Sequence, residues 1–183
     1  VGAVNVQKFE EVLVGVNSLT EAQTALESLD GVRRVIGNLH FRNGQVAWLT
    51  LPFSSTPLAD ALRFMNNIGV HAAPKLVSLR DLPSGESVVV YEIPGLPEVY
   101  PSLFSGPAPL PKEAAERLRQ DFELMFATGY VHPLAVAGYD TWRIVHGTGS
   151  VVFERWETLR VMTADEIDDA RASAERLIRD CEI

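Results

Sequence analysis

The chain is short of cysteine, of basic residues and of long apolar runs, and each shortage removes a class of protein. With one cysteine in 183 residues, Cys181, no internal disulfide can form, and nothing beside it in sequence makes the thiol catalytic. The 16 Lys and Arg residues are scattered and outnumbered by 24 Asp and Glu, for a formal net charge of -8. Phosphate attraction needs a concentrated positive patch, so nucleic acid is not expected as a partner. No apolar run approaches the roughly 20 residues that span a bilayer, so membrane insertion is not expected and the chain reads as soluble, cytoplasmic or secreted. Four histidines, His40, His71, His132 and His146, include no i,i+4 pair and no neighbouring cysteine, which leaves a zinc site without support. Neither a Gly-x-Gly-x-x-Gly loop nor a Gly-x-Ser-x-Gly elbow occurs. The chain starts at Val1 with no basic-then-apolar leader, which reads either as a trimmed chain or as a piece of a longer protein.

What is present is an ordinary globular composition, 46% hydrophobic and 22% charged, enough for one domain or two small lobes. Val12 to Val16 is an apolar β-branched run that predicts a strand. Ser18 or Thr20 then offers an N-cap, with Glu21 or Gln23 as capping-box partner, for a helix to about Leu29. Val32 to Phe41 and Gln45 to Leu51, joined by Asn43-Gly44, predict a hairpin with a type I′ turn. Thr56 and Pro57 predict the start of a helix whose apolar face is Leu58, Ala61, Leu62, Met65 and Ile68, closed by Gly69. Strands follow at Leu76 to Leu79 and Ser87 to Glu92.

Residues 94 to 111 are rich in proline and poor in charge, and read either as a lobe connection or as a polyproline II ligand. From Lys112 to Ala127 a helix is predicted with Ala115, Leu118, Phe122, Met125 and Phe126 inside and Glu113, Glu116, Arg117 and Asp121 elsewhere. A hairpin is predicted from Trp142 to Glu154 around His146-Gly147-Thr148-Gly149-Ser150, a turn more than a phosphate cradle because no helix follows it. Thr163-x-x-Glu166 caps a last helix with inner face Ile167, Ala170, Ala174, Leu177 and Ile178. The expected fold class is α+β.

Several stretches carry a resemblance. Gly44-Gln45-Val46-Ala47-Trp48-Leu49 is similar to a third strand bearing Val-Ala-x-Lys, Pro57 to Gly69 to the helix after it, and Val88-Val89-Val90-Tyr91-Glu92 to the strand entering a hinge. Gly129-Tyr130-Val131-His132 resembles the approach to a catalytic loop, followed by a hairpin. The series, over about residues 32 to 160, resembles the protein-kinase-like superfamily, including its aminoglycoside-phosphotransferase branch. The resemblance implies a small bilobal fold: an antiparallel N-lobe sheet with a packed helix over about 1 to 93, a hinge at 94 to 111, and a truncated, mostly helical C-lobe at 112 to 183.

Phosphoryl transfer on that fold needs a phosphate-binding lysine, a glutamate that orients it, a catalytic aspartate and two metal ligands. Leu49 stands at the lysine, Asp60 on the helix that would carry the glutamate, and Pro133-Leu134 where the catalytic aspartate belongs. Gly31 and Gly37 form no glycine loop. Asp140 and Glu154 fall near the two metal-binding places; equally, Asp140 reads as a turn residue and Glu154 as the partner of Arg143 or Arg155. His132 reads as a buried hydrogen-bonding residue rather than a base. The expectation is a pseudokinase, a regulatory module or bacterial effector that binds an unidentified protein partner and carries no cofactor. The alternative is a minimal phosphotransferase using ATP and magnesium on Asp140 and Glu154, with Lys75 or Arg33 replacing the missing lysine.

Overall fold

The computed structural model describes residues 11–29, 32–35, 38–41, 45–50, 52–93, 102–145 and 147–183, with the backbone alone over 32–55. The fold class is α+β, as expected. By its internal contacts the chain divides into two compact units, Val1–Asp60 with Lys75–Tyr100, and Ala61–Pro74 with Pro101–Ile183.

In the first unit, α1 (Leu19–Glu27) begins at Ser18, whose hydroxyl accepts the Glu21 amide, while the Glu21 carboxylate takes the Asn17 amide rather than that of Ser18. Val12 to Val16 is not a strand. Residues 11–13 are helical, Val14 N–H bonds Glu11 C=O and Val16 N–H bonds Leu13 C=O, and Gly15 turns the chain at φ +80°. Leu13 and Val16, three apart, are thereby buried while Val14 is 72% exposed, so the run follows a helical and not an alternating period. Five strands follow, β1 (Val32–Val35), β2 (Asn38–Phe41), β3 (Gln45–Thr50), β4 (Lys75–Asp81) and β5 (Ser87–Glu92), in the order β1-β2-β3-β5-β4 with every neighbouring pair antiparallel. The stretch expected as one strand from Val32 to Phe41 is thus itself a hairpin; the Asn43-Gly44 turn lies outside the described residues. The cluster formed by Leu13, Ala22, Leu26 and Leu29 with Leu82, Val88 and Val90 packs α1 on one face of β5.

Helix α2 (Pro52–Ile68) runs from one unit into the other. It starts five residues before the expected Pro57, because Pro52 takes the first helical position, where its missing N–H costs nothing. Pro57 lies inside, unable to donate to the carbonyl four residues back. Leu58, Ala61, Leu62 and Met65 are buried as the 3.6 period requires, and Gly69 at φ +85° ends the helix with its N–H on Met65 C=O.

The second unit is built on α3 (Lys112–Thr128) and α5 (Ala164–Cys181), the latter starting with a complete capping box at Thr163 and Glu166. Between them come β7 (Tyr130–Val131), the short α4 (Pro133–Ala137), the hairpin β8 (Trp142–Ile144) and β9 (Val151–Phe153), and β10 (Arg160–Val161), which pairs with β7. Strand β6 (Ser102–Leu103) edges β8. Of the proline-rich stretch, residues 94–101 lie outside the described residues; beyond them Phe104 is buried and Leu103 is 57% exposed. Trp142, Phe153, Phe122 and Trp156 form the centre of this unit, with Trp142–Phe153 and Phe122–Phe153 ring centroids 5.3 and 5.5 Å apart. Among the described residues no helix is long and apolar enough to cross a membrane.

Candidate functional site

Of the residues singled out by sequence, His132, Asp140 and Glu154 gather around the β8–β9 hairpin. His132 caps α4: its Nδ1 accepts the Ala135 N–H at 3.2 Å. A ring nitrogen that accepts carries no proton, so the proton sits on Nε2, which donates to the Glu154 carbonyl at 2.6 Å. The ring is fully buried with its centroid 4.8 Å from that of Trp156, and burial pushes its pKa down to about 4. At neutral pH it is an uncharged brace, consistent with a hydrogen-bonding role. Pro133 and Leu134 open α4, and Leu134, at the place expected for a catalytic aspartate, is 37% exposed.

Glu154 follows β9. Its amide donates to Thr141 C=O at 2.8 Å, and its carboxylate receives Arg143 Nη2 at 2.7 Å. The same guanidinium, through Nη1, donates to the carbonyls of Asp140 and Trp142, each at 2.9 Å. Arg143 therefore ties Asp140, which is exposed, to Glu154 across the hairpin. Arg155, the other partner considered for Glu154, adopts a left-handed conformation (φ 65°, ψ 38°) and binds Glu157 at 2.7 Å instead. Among the described residues no group of three His, Cys, Asp or Glu could hold a metal ion.

In the first unit, position 49 on β3 is the register partner of Val88, and position 47 that of Val90. Directly opposed antiparallel residues share a sheet face, so both positions belong to the face covered by α1. Val89 and Tyr91, on the opposite face of β5, are also buried. Lys75 heads β4, exposed; Arg33 lies within β1.

Among the described residues one buried carboxylate escaped the sequence. Asp121, expected off the apolar side of α3, is 1% exposed and accepts the amides of His71 and Ala72 at 2.8 and 2.9 Å, with His71 Nδ1 at 3.4 Å. The bend at 70–74 directs these two N–H groups at α3, whose Asp121 carboxylate is their acceptor. Burial raises its pKa despite the three contacts. No local signal could have found it, because its partners lie 49 and 50 residues away. Elsewhere, a crevice of about 220 Å³ between α3 and α5, floored by Phe122, Phe126 and Ile178, is flanked by the ion pairs Arg119–Glu175 and Arg171–Glu123.

Compared with protein-family models, with curated proteins and with solved structures, the chain finds no match.

Proposed function

We propose that the chain is a kinase-like module that binds or regulates a protein partner and does not transfer phosphate. The observation that carries this reading is the engagement of Glu154, the carboxylate best placed by sequence to hold a metal, by Arg143 at 2.7 Å with both side chains largely shielded. Two further features support it. Position 49, where a phosphate-binding lysine would stand, belongs to a sheet face filled by α1, and Leu134 can neither accept a proton nor orient a hydroxyl. Phosphoryl transfer depends almost wholly on positioning and electrostatic stabilisation, and the loss of lysine and aspartate together removes both.

The test is a thermal-melting titration with ATP and ADP, with and without magnesium, on wild type and on Glu154→Ala. No shift at millimolar nucleotide is expected. A saturable rise that requires both magnesium and Glu154 would overturn the reading, since a ligand that binds only the native state must stabilise it by mass action.

A further inference from the structure

We propose that the Arg143 guanidinium is a built-in cation, which fills an oxygen-lined site between the Asp140 turn and Glu154 and makes the hairpin independent of any metal ion. Three oxygens from two chain segments converge on this one positive group: the carbonyls of Asp140 and Trp142 and the carboxylate of Glu154. Carbonyl and carboxylate oxygens are the donor set of a hard cation. A guanidinium satisfies the same oxygens with directional N–H bonds, stays charged at every physiological pH, and cannot dissociate from the chain. An ordinary surface ion pair would give one contact between two exposed side chains; here Arg143 and Glu154 retain only 16% and 21% of their exposure, and the guanidinium reaches backbone at two further points.

The inference goes beyond the functional reading by saying what holds Glu154 and what its release would create. Removing the guanidinium while leaving the oxygens should open a site for a small, hard cation of higher charge. Terbium is a suitable probe, because indole sensitises its emission and Trp142 is the residue next to Arg143. Wild type is expected to give no more sensitised emission than Glu154→Gln. Arg143→Gln should melt lower than wild type, bind terbium saturably at least tenfold more tightly than Arg143→Gln/Glu154→Gln, and recover part of its lost melting temperature in millimolar manganese. Equal binding by the single and double variants, or Glu154-dependent terbium binding by wild type, overturns the proposal.

Arg143→Lys serves where the glutamine variant does not fold: it keeps the charge on a shorter group and should still refuse terbium, so Glu154-dependent binding by this variant also overturns the proposal. Phosphoryl transfer that persists in Glu154→Gln would sink the functional reading and leave this inference intact, and a failed terbium contrast in a chain that binds no nucleotide would do the reverse.

Discussion

Around α1 the buried cluster is wholly aliphatic, built from Leu13, Val16, Leu26, Leu29, Leu82, Val88 and Val90 with Ala22. Around β8 and β9 the buried centre is aromatic and threaded with polar atoms: Trp142 Nε1 donates to Ala135 C=O at 2.9 Å, His132 spans Ala135 and Glu154, and Asp121 takes two amides. Aliphatic contacts have no preferred direction, so the first cluster asks mainly for volume. Hydrogen bonds in a low-dielectric interior demand both partners, so the second asks for particular atoms. The difference separates two kinds of mutational sensitivity within one chain.

The sharpest way to break that contrast is to remove mass from each side. Trp142→Ala empties a fully buried site that touches Phe104, Phe122, Tyr139 and Phe153, and is expected to cost about 3–5 kcal/mol in denaturant unfolding. Leu26→Ala is expected to cost about 2–5 kcal/mol, and Leu26→Met less than about 1.5 kcal/mol, because volume is all that position supplies. A Leu26→Met variant as damaged as Leu26→Ala would show that shape complementarity, and not volume, rules the aliphatic side.

His132 sharpens the comparison through pH. Its folded pKa of about 4 lies below the unfolded value of 6.5, so the unfolded chain takes up a proton first as pH falls. The stability held by neutral His132 is therefore fully present above pH 6.5 and lost progressively towards pH 4, about 3 kcal/mol in all by linkage. Asp121 works in the opposite sense: its raised pKa favours the fold in acid and the contribution fades as pH rises, which offsets a little of the histidine effect near the bottom of the window. Denaturant unfolding at pH 7 and pH 5 should show wild type losing stability on acidification and His132→Gln losing distinctly less. Parallel losses in the two proteins would mean that the histidine does not stay neutral. At constant neutral pH, Asp121→Asn keeps the size of the side chain but turns one acceptor into a donor facing an amide, and is expected to cost about 1–3 kcal/mol.

The same contrast explains what could be read in the sequence. Apolar periodicity located α3, β5 and the inner faces of α2 and α5, because burial of an amphipathic element writes itself every 3.6 or 2 residues. Ser18 and Thr163 were legible because caps act within one turn. Val12 to Val16 was misread because five β-branched and apolar residues fit either period, and Gly15, which decides the outcome by turning the chain, was counted as part of the run. At the site, Glu154 and its partner Arg143 lie 11 residues apart across a predicted hairpin, so the pair was among the readings open to sequence. The grip of Arg143 on the Asp140 and Trp142 carbonyls was not, since a backbone acceptor leaves no residue type to recognise. Asp121 is the extreme case: sequence placed it off the apolar side of its helix, and its real partners are on another element.

The smallest expected effect compares the two helix starts. At Thr163 the exchange is reciprocal: its hydroxyl accepts the Glu166 amide at 3.3 Å, and the Glu166 carboxylate accepts the Thr163 amide at 3.3 Å. Ser18 accepts the Glu21 amide at 3.2 Å, but its own amide is not the one that Glu21 serves. Thr163→Ala is therefore expected to cost about 1 kcal/mol and Ser18→Ala somewhat less, both read from denaturant midpoints. The Arg160 guanidinium and the Thr163 amide hold the Glu166 carboxylate below the ordinary range, so the Thr163 box loses part of its benefit in acid as that carboxylate is protonated, and the difference between the two alanine variants should narrow there. Ser18→Ala costing more than Thr163→Ala at neutral pH would mean that the first cap does more than satisfy one amide. The place to look would then be Glu86, whose carboxylate accepts the Leu19 amide and so shares the start of α1 with Ser18.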